Sequence, residues 1–260
     1  MSAVVGRVSP SEYLRSILRR EAVEEDASSN LRALEGKVDR LCGNWGGRHL
    51  LEVYPTGAFE KRMANKSGVN IDFLLSLSPE TPFRIAEIYE SLAGALKRQG
   101  FSPIRRPVSL GINLDGTEID LIPAKREALS SDVHELHSTS SGFSTKTNLT
   151  QHVLDALENS RHEEVRVLKL WRDQNGLDLP SFYLELTSYA ALRRRPLGEL
   201  ADNVWMVLGY LESLFVARGV LDPANANNVV SSELTTVAKK RVAQAAAAAR
   251  AGRPWSEIVR

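Results

Sequence analysis

The chain has a single cysteine, Cys42, in 260 residues, so no internal disulfide can form and a cysteine-rich zinc site is excluded. It also has almost no net charge, because 33 Lys and Arg stand against 32 Asp and Glu. A balance of +1 exerts no long-range pull on nucleic acid, although it leaves room for a local basic groove. No apolar run approaches the roughly 18 to 20 residues that span a bilayer. Residues 1–10 lack the apolar stretch behind a basic start that marks a secretory signal. The expectation is a soluble, cytoplasmic protein with no membrane partner. With 43% hydrophobic and 25% charged residues, the composition is that of an ordinary globular chain with a real core.

What is present falls into two textures. The first forty residues read as helix, with Leu31, Leu34, Val38 and Leu41 along one face and Gly43, Gly46 and Gly47 at its end. Residues 50–54 and 70–77 read as strands, and residues 82–100 as a helix carrying Ile85, Ile88, Leu92 and Leu96. Two further strands, 107–114 and 117–123, are joined by Asp115-Gly116, a tight-hairpin pair. Residues 130–148 are polar and read as a loop or linker. From residue 149 the pattern is helical, over 149–175, 180–193, 197–218 and 232–249. The reading is an α+β chain with a strand-rich domain over 1–148 and a helical domain over 149–260, and with a cleft between them where ligand sites often lie.

The chemistry concentrates on two strands. Residues two apart on a strand share a face, so Asn70 and Asp72 point the same way. Asp120 sits between Ile119 and Leu121 and projects opposite to them. If the strands are neighbours, these side chains meet, and carboxylates so gathered repel unless cations lie between them. Two Mg²⁺ ions, or Mn²⁺ in their place, would suit such an arrangement and phosphoryl transfer. Gly57 permits close backbone approach to a phosphate, and Lys61, Arg62 and Lys66 add positive charge nearby.

In this order the segments resemble a known group. Gly57-Ala58, then Asn70-Ile71-Asp72 followed by Phe73-Leu74-Leu75, then Glu118-Ile119-Asp120-Leu121-Ile122-Pro123-Ala124 match the Gly-Ser, Asp-x-Asp and third-Asp motifs of the polymerase-beta nucleotidyltransferase superfamily. The helical half narrows the resemblance. Val165 to Trp171, Leu179 to Leu186 and Leu221 to Val229 are similar to the helical domain of oligoadenylate synthases and of bacterial cGAS/DncV-like nucleotidyltransferases (CD-NTases).

The resemblance implies a mixed sheet with helices packed on a C-terminal helical bundle, preceded by a long N-terminal helix. It implies Asp72, Asp120 and Asn70 as metal-binding catalytic positions. Gly57, Ala58, Lys61, Lys169, Ser181 and Asn228 become the substrate-binding positions, with Lys169 and Ser181 on the triphosphate. The implied activity is assembly of nucleoside triphosphates into cyclic or linear oligonucleotide messengers for anti-phage signalling, read by a downstream effector. A nucleic-acid activator remains open.

Two positions depart from the pattern. Ala58 replaces a serine hydroxyl, a loss on the order of 1 kcal/mol. Asn70 replaces the first aspartate and removes a charge worth roughly 4 kcal/mol in a pair about 4 Å apart at an effective dielectric near 20, before solvation is subtracted. Asn70 fits an introduced Asp→Asn change in an active enzyme, a degenerate member that only binds nucleotides, or a slow enzyme. The alternatives to messenger synthesis are therefore a silent nucleotide- or oligonucleotide-binding protein and a transferase acting on RNA or protein. His134 and His137 read as surface loop residues, Trp171 and Trp205 as core, and Asn225, Asn227 and Asn228 as caps for the last helix.

Overall fold

The computed structural model describes residues 8–23, 27–68, 70–139 and 144–260. The helical N-terminal region takes the form of two helices with different allegiances. Helix α1 (Pro10–Arg20) starts at Ser9, whose hydroxyl accepts from the Glu12 N–H while Glu12 bonds back to the Ser9 N–H, a reciprocal cap. It buries Leu14, Ile17 and Leu18 among the C-terminal helices. Helix α2 (Ala27–Gly46) instead lays Leu31, Leu34, Val38 and Cys42 on the sheet.

The sheet contains β1 (Leu50–Thr56), β2 (Ile71–Leu77), β3 (Ile104–Arg105), β4 (Leu110–Leu114), β5 (Thr117–Arg126), β6 (His134–His137) and β7 (Ser144–Thr147). A short helix, α3 (Gly57–Glu60), follows β1, and α4 (Ile85–Arg98) follows β2. The strand order is β1-β2-β5-β4-β3, with β2 and β5 parallel and the other pairs antiparallel. Strand β5 is long enough to pair β4 up to Leu121 and β6 from Ala124 along the same edge. At the β4–β5 hairpin Asp115 and Gly116 take φ of 52° and 87°, as the pair demanded.

Alternation along the strands divides the sheet's two faces. Phe73, Leu75, Ile119 and Leu121 pack with α2 and α4, around Tyr89, Leu92 and Leu96. The opposite face carries Leu74, Ile122, Ala124 and Leu136. Asp72 and Asp120 share the parity of Leu74 and Ile122, so they stand on the face away from α4.

Residues 130–148 are not merely a loop, because β6 and β7 lie within them. Their single buried aliphatic, Leu136, gives too little alternation to read as a strand. His134 is fully buried there, with one ring nitrogen 2.9 Å from Ser76 Oγ and the other 2.9 Å from the Asp132 carbonyl, which corrects its surface reading. The expected helix over 149–175 is two, α5 (Leu149–Asn159) and α6 (His162–Gln174), separated at Ser160 in a left-handed conformation with φ 54°. Helices α7 (Ser181–Leu192), α8 (Leu200–Ser213), α9 (Thr236–Arg250) and α10 (Trp255–Ile258) complete the helical half around Trp171, Tyr183 and Phe215.

Candidate active site

At one level of the sheet, Thr56, Asp72, Asp120, Gly111 and Ile104 follow one another, each the register partner of the next. Neighbouring strands lie about 4.8 Å apart. The carboxylates of Asp72 and Asp120 therefore stand side by side, as the spacing predicted. Asn70, immediately before β2, donates from Nδ2 to Asp120 Oδ2 at 3.3 Å. All three expected positions meet.

Gly57 is required by this arrangement in two ways. Its φ of +71° lies in the left-handed region, and a Cβ there would collide with the Asp72 carboxyl group. The turn from β1 into α3 thus closes directly over Asp72. Burial pushes the Asp72 carboxyl up to about 7, and the like charge of Asp120 adds to it; Lys169, the Ala58 N–H and Lys61 act in the other direction. Burial also raises Asp120, against the opposing effects of Arg106 and Asn70.

The cations are arranged less simply than the sequence implied. Lys61 is buried and its Nζ lies 3.0 and 3.1 Å from the two oxygens of Glu185 on α7. It also sits 4.8 Å from the centre of the Phe182 ring. Its charge is matched inside the protein, and it joins α3 to the helical half. Lys169 donates to the Met63 carbonyl at 3.1 Å and faces Asp72. Burial lowers Lys169 to about 8, and the neighbouring Arg172 charge contributes. Arg172 Nη1 donates to Ser181 Oγ at 2.8 Å, which ties the end of α6 to the start of α7. Lys169, Arg172 and Ser181 therefore form one cluster, in which Arg172 is already paired with Asp173 at 2.7 Å.

Asn228 is not among the carboxylates. Its Nδ2 donates to Asp222 Oδ2 at 3.1 Å, and Asp222 also takes Thr147 Oγ1 at 2.7 Å and lies 2.7 Å from His152 Nε2. The His152 ring stacks on Phe182 with centroids 4.2 Å apart. A cavity of about 360 Å³ opens here, lined by His152, Phe182, Glu185, Tyr189 and Pro223 among others. Asn225 bridges to the Lys146 carbonyl and Asn227 closes a local turn on Asn225, so neither caps α9. Thr235 performs that task.

Sequence reading missed Arg106, Glu185 and Arg172. Arg106 Nε lies 2.8 Å from Asp120 Oδ1. The contact is Coulombic, since neither buried atom has an aligned hydrogen-bond partner. One signal for it was legible: Gly111 interrupts an apolar strand, and interior strand glycines often mark a close approach. A Cβ at Gly111 would lie 2.9 Å from Asp120 Oδ1 and 3.0 Å from Arg106 Nε.

Among the described residues, no three Asp, Glu, His or Cys side chains converge as a metal site. Two adjacent carboxylates beside an amide do fit one hard cation, since Mg²⁺ is commonly held by one or two carboxylates with water and substrate phosphate completing its octahedron. A further cation would call for the carboxylate that Asn70 lacks.

No protein-family model and no curated protein matches the sequence. Solved structures do match over nearly the whole chain. CdnC of E. coli MS115-1, solved with ATP, superposes with a TM-score of 0.76 at 17% identity, over 96% of this chain and 95% of that one. The CD-NTase CdnG of Bradyrhizobium diazoefficiens, solved with GTP, gives 0.76 at 12% identity, over 96% and 94%. The Cid1 poly(U) polymerase, as an H336N mutant bound to MgATP, gives 0.65 at 10% identity, over 95% and 97%. The chain has the fold shared by CD-NTases and polymerase-beta-like nucleotidyltransferases, a mixed α+β sheet joined to a helical bundle.

Proposed function

We propose that this protein is a nucleotidyltransferase that joins nucleoside triphosphates into cyclic or linear oligonucleotide messengers, with turnover attenuated by Asn70. The observation that carries the reading is the pairing of Asp72 with Asp120 on adjacent parallel strands, under the Gly57 turn and facing Lys169. A carboxylate pair in which only Asp120 has an ion-pair partner, set beside a half-buried lysine, suits a cation and a polyphosphate together, because each would relieve the repulsion felt by the other. The ATP- and GTP-bound neighbours of the same fold support nucleoside triphosphates as substrates.

In this reading Asp72 and Asp120 would hold Mg²⁺ or Mn²⁺, with the Asn70 amide beside them. The bound cation would acidify the attacking hydroxyl and neutralise charge on the departing pyrophosphate. Lys169 and Arg172 attract the triphosphate, and the Ser181 hydroxyl and the backbone at Gly57 and Ala58 orient it. Asp120 is the group beside the attacking hydroxyl. The Lys61–Glu185 pair keeps α3 docked on α7, which holds the cleft's two walls in register. Asn228 acts at a distance by fastening Asp222, and through it His152 and Phe182. The two domains, 1–148 and 149–260, form the two walls, with α1 packed on the second. Anti-phage signalling through an effector that reads the product is the setting we propose. No helix among the described residues is long and apolar enough to cross a membrane. A cytoplasmic site of action is part of the proposal.

A second reading has its own observation. Asn70 donates to Asp120, so this oxygen is already engaged by the protein, as in a silent nucleotide-binding relative. Incubation with mixed NTPs and Mg²⁺ or Mn²⁺ separates the two. Pyrophosphate release is expected to be slow for this chain and at least about ten-fold faster for Asn70→Asp, given the restored charge. If both chains bind NTP and neither releases pyrophosphate, the enzyme reading fails. Label migrating with RNA or protein instead of a small oligonucleotide would move the assignment to a macromolecular transferase.

A further inference from the structure

Both oxygens of Asp120 are met by nitrogen donors of the protein itself. Oδ2 faces the Asn70 amide at 3.3 Å, and Oδ1 faces Arg106 Nε at 2.8 Å. The arginine has not simply swung in from solvent. Its backbone N–H donates to the Ser109 carbonyl at 3.0 Å, closing the turn between β3 and β4. Its carbonyl accepts from Tyr89 Oη at 3.2 Å and from Thr139 Oγ1 at 3.1 Å. Tyr89 is fully buried, so the turn is anchored in the sheet's core.

The space for the guanidinium is also built in. Gly111 is the β4 partner of Asp120, and a Cβ there would press on both Asp120 Oδ1 and Arg106 Nε. Glycine inside a strand is unfavourable unless something approaches closely. Here two charged groups do so on the face away from α4. Asp120 is therefore flanked by Asp72 on one side and by the Gly111 gap with Arg106 on the other.

Charge counting then distinguishes the two carboxylates. Among the described residues no ion pair reaches Asp72, whereas Asp120 has a guanidinium against it. Asn70 supplies no third negative charge. We infer that Arg106 serves as the resident counter-ion of Asp120, so that the nucleotide-loaded protein takes up one divalent cation, held by Asp72 with the partly neutralised Asp120 beside it, where a site with three carboxylates would take two. This rests on the nucleotide-binding reading above and specifies its cation requirement. Arg106 is a positioning residue: it holds Asp120 by its charge and opposes the entry of a second cation.

The test counts bound Mn²⁺ by electron paramagnetic resonance, with the full chain saturated by a non-hydrolysable ATP analogue whose own binding is measured separately by calorimetry. The chain as it stands should bind one Mn²⁺ per bound analogue. Asn70→Asp should admit a second one weakly, and adding Arg106→Gln should tighten that second site about ten-fold or more. Adding Arg106→Lys to Asn70→Asp should keep it weak, because the positive charge remains. Circular dichroism confirms that each variant is folded, and Arg106→Met, which also removes the charge, carries the comparison if the glutamine does not fold. Two Mn²⁺ per analogue in the unaltered chain, or a second site indifferent to Arg106, would overturn the inference while leaving nucleotide binding intact. Failure to bind the analogue at all would sink the nucleotide reading and this inference with it.

Discussion

Two aspartates in this chain, half-buried Asp72 and buried Asp222, are pushed in opposite directions. Burial followed by the charge of Asp120 raises the Asp72 carboxyl to about 7, more than Lys169 and the Ala58 N–H offset. Burial also acts upward on Asp222, yet hydrogen bonds from His152, Thr147 and Asn228 outweigh it and bring that carboxyl down to about 2. The first is the pattern that the proposed cation site calls for. The second is a finished structural clamp, which ties the end of β7, the start of α5 and the segment before α9 together. Perturbed carboxylates mark function only when the perturbation is left uncompensated.

The contrast can be broken from either end. The largest effect should come from Asp222→Ala, which strands His152 and Thr147 and should cost about 3–5 kcal/mol. Thermal unfolding should show a fall in Tm of about 10 °C, at about 2–4 °C per kcal/mol for a chain of this size. The sign with pH follows from the lowered carboxyl. Its contribution is present above the unfolded value near 3.8 and is lost as pH falls toward about 2. A variant with unchanged Tm at pH 7 would show that the clamp carries no load.

Gly57→Ala comes next. The left-handed backbone costs about 1–2 kcal/mol for a residue with a Cβ, and Asp72 must move as well. Denaturant titration should show about 2–3 kcal/mol of lost stability. Calorimetry with the ATP analogue and Mn²⁺ should show the site lost even where the fold survives.

Asp72→Asn should do the reverse and stabilise the apo protein. An acid whose folded value is raised from 3.8 to about 7 destabilises the native state progressively as pH rises between those values. Removing the ionisable group should therefore add about 1–3 kcal/mol at pH 8, after a discount for solvent and for coupling to Asp120, and nearly nothing at pH 4. Nucleotide-dependent Mn²⁺ binding should disappear in the same variant. Equal stability of the two chains from pH 4 to 8 would mean that Asp72 is solvated and not poised.

The smallest effect is expected from Ala58→Ser. A hydroxyl beside the Gly57 turn should strengthen analogue binding by about 1 kcal/mol, a five- to ten-fold fall in Kd, with Tm unchanged. A weaker Kd would place the triphosphate away from this turn.

Legibility in the sequence followed the range of the interaction. The strands bearing Asp72 and Asp120 were readable because period-two alternation is a local signal, and so was the Asp115-Gly116 hairpin. Helix α4 was readable for the same reason at period 3.6. Strands β6 and β7 were not, although they pair with their chain neighbours, since their inward face is a histidine, a leucine and a threonine and gives no apolar alternation. The site residues split in the same way. Gly57 and the carboxylates form an ordered motif, whereas Glu185 becomes the partner of Lys61 only when residues 124 apart are brought together.

By itself, then, the sequence determined the residue types that can meet cations and phosphates, the alternation that turns Asp72 and Asp120 to one face, and the helical character of the second half. Tertiary structure decided which charges are matched. It paired Lys61 with Glu185, placed Lys169 and Arg172 together, moved Asn228 to the Asp222 clamp and set Arg106 against Asp120. The physical reason is that pattern follows from neighbours along the chain, while the electrostatic state of a buried group depends on whatever the fold delivers within a few ångströms of it.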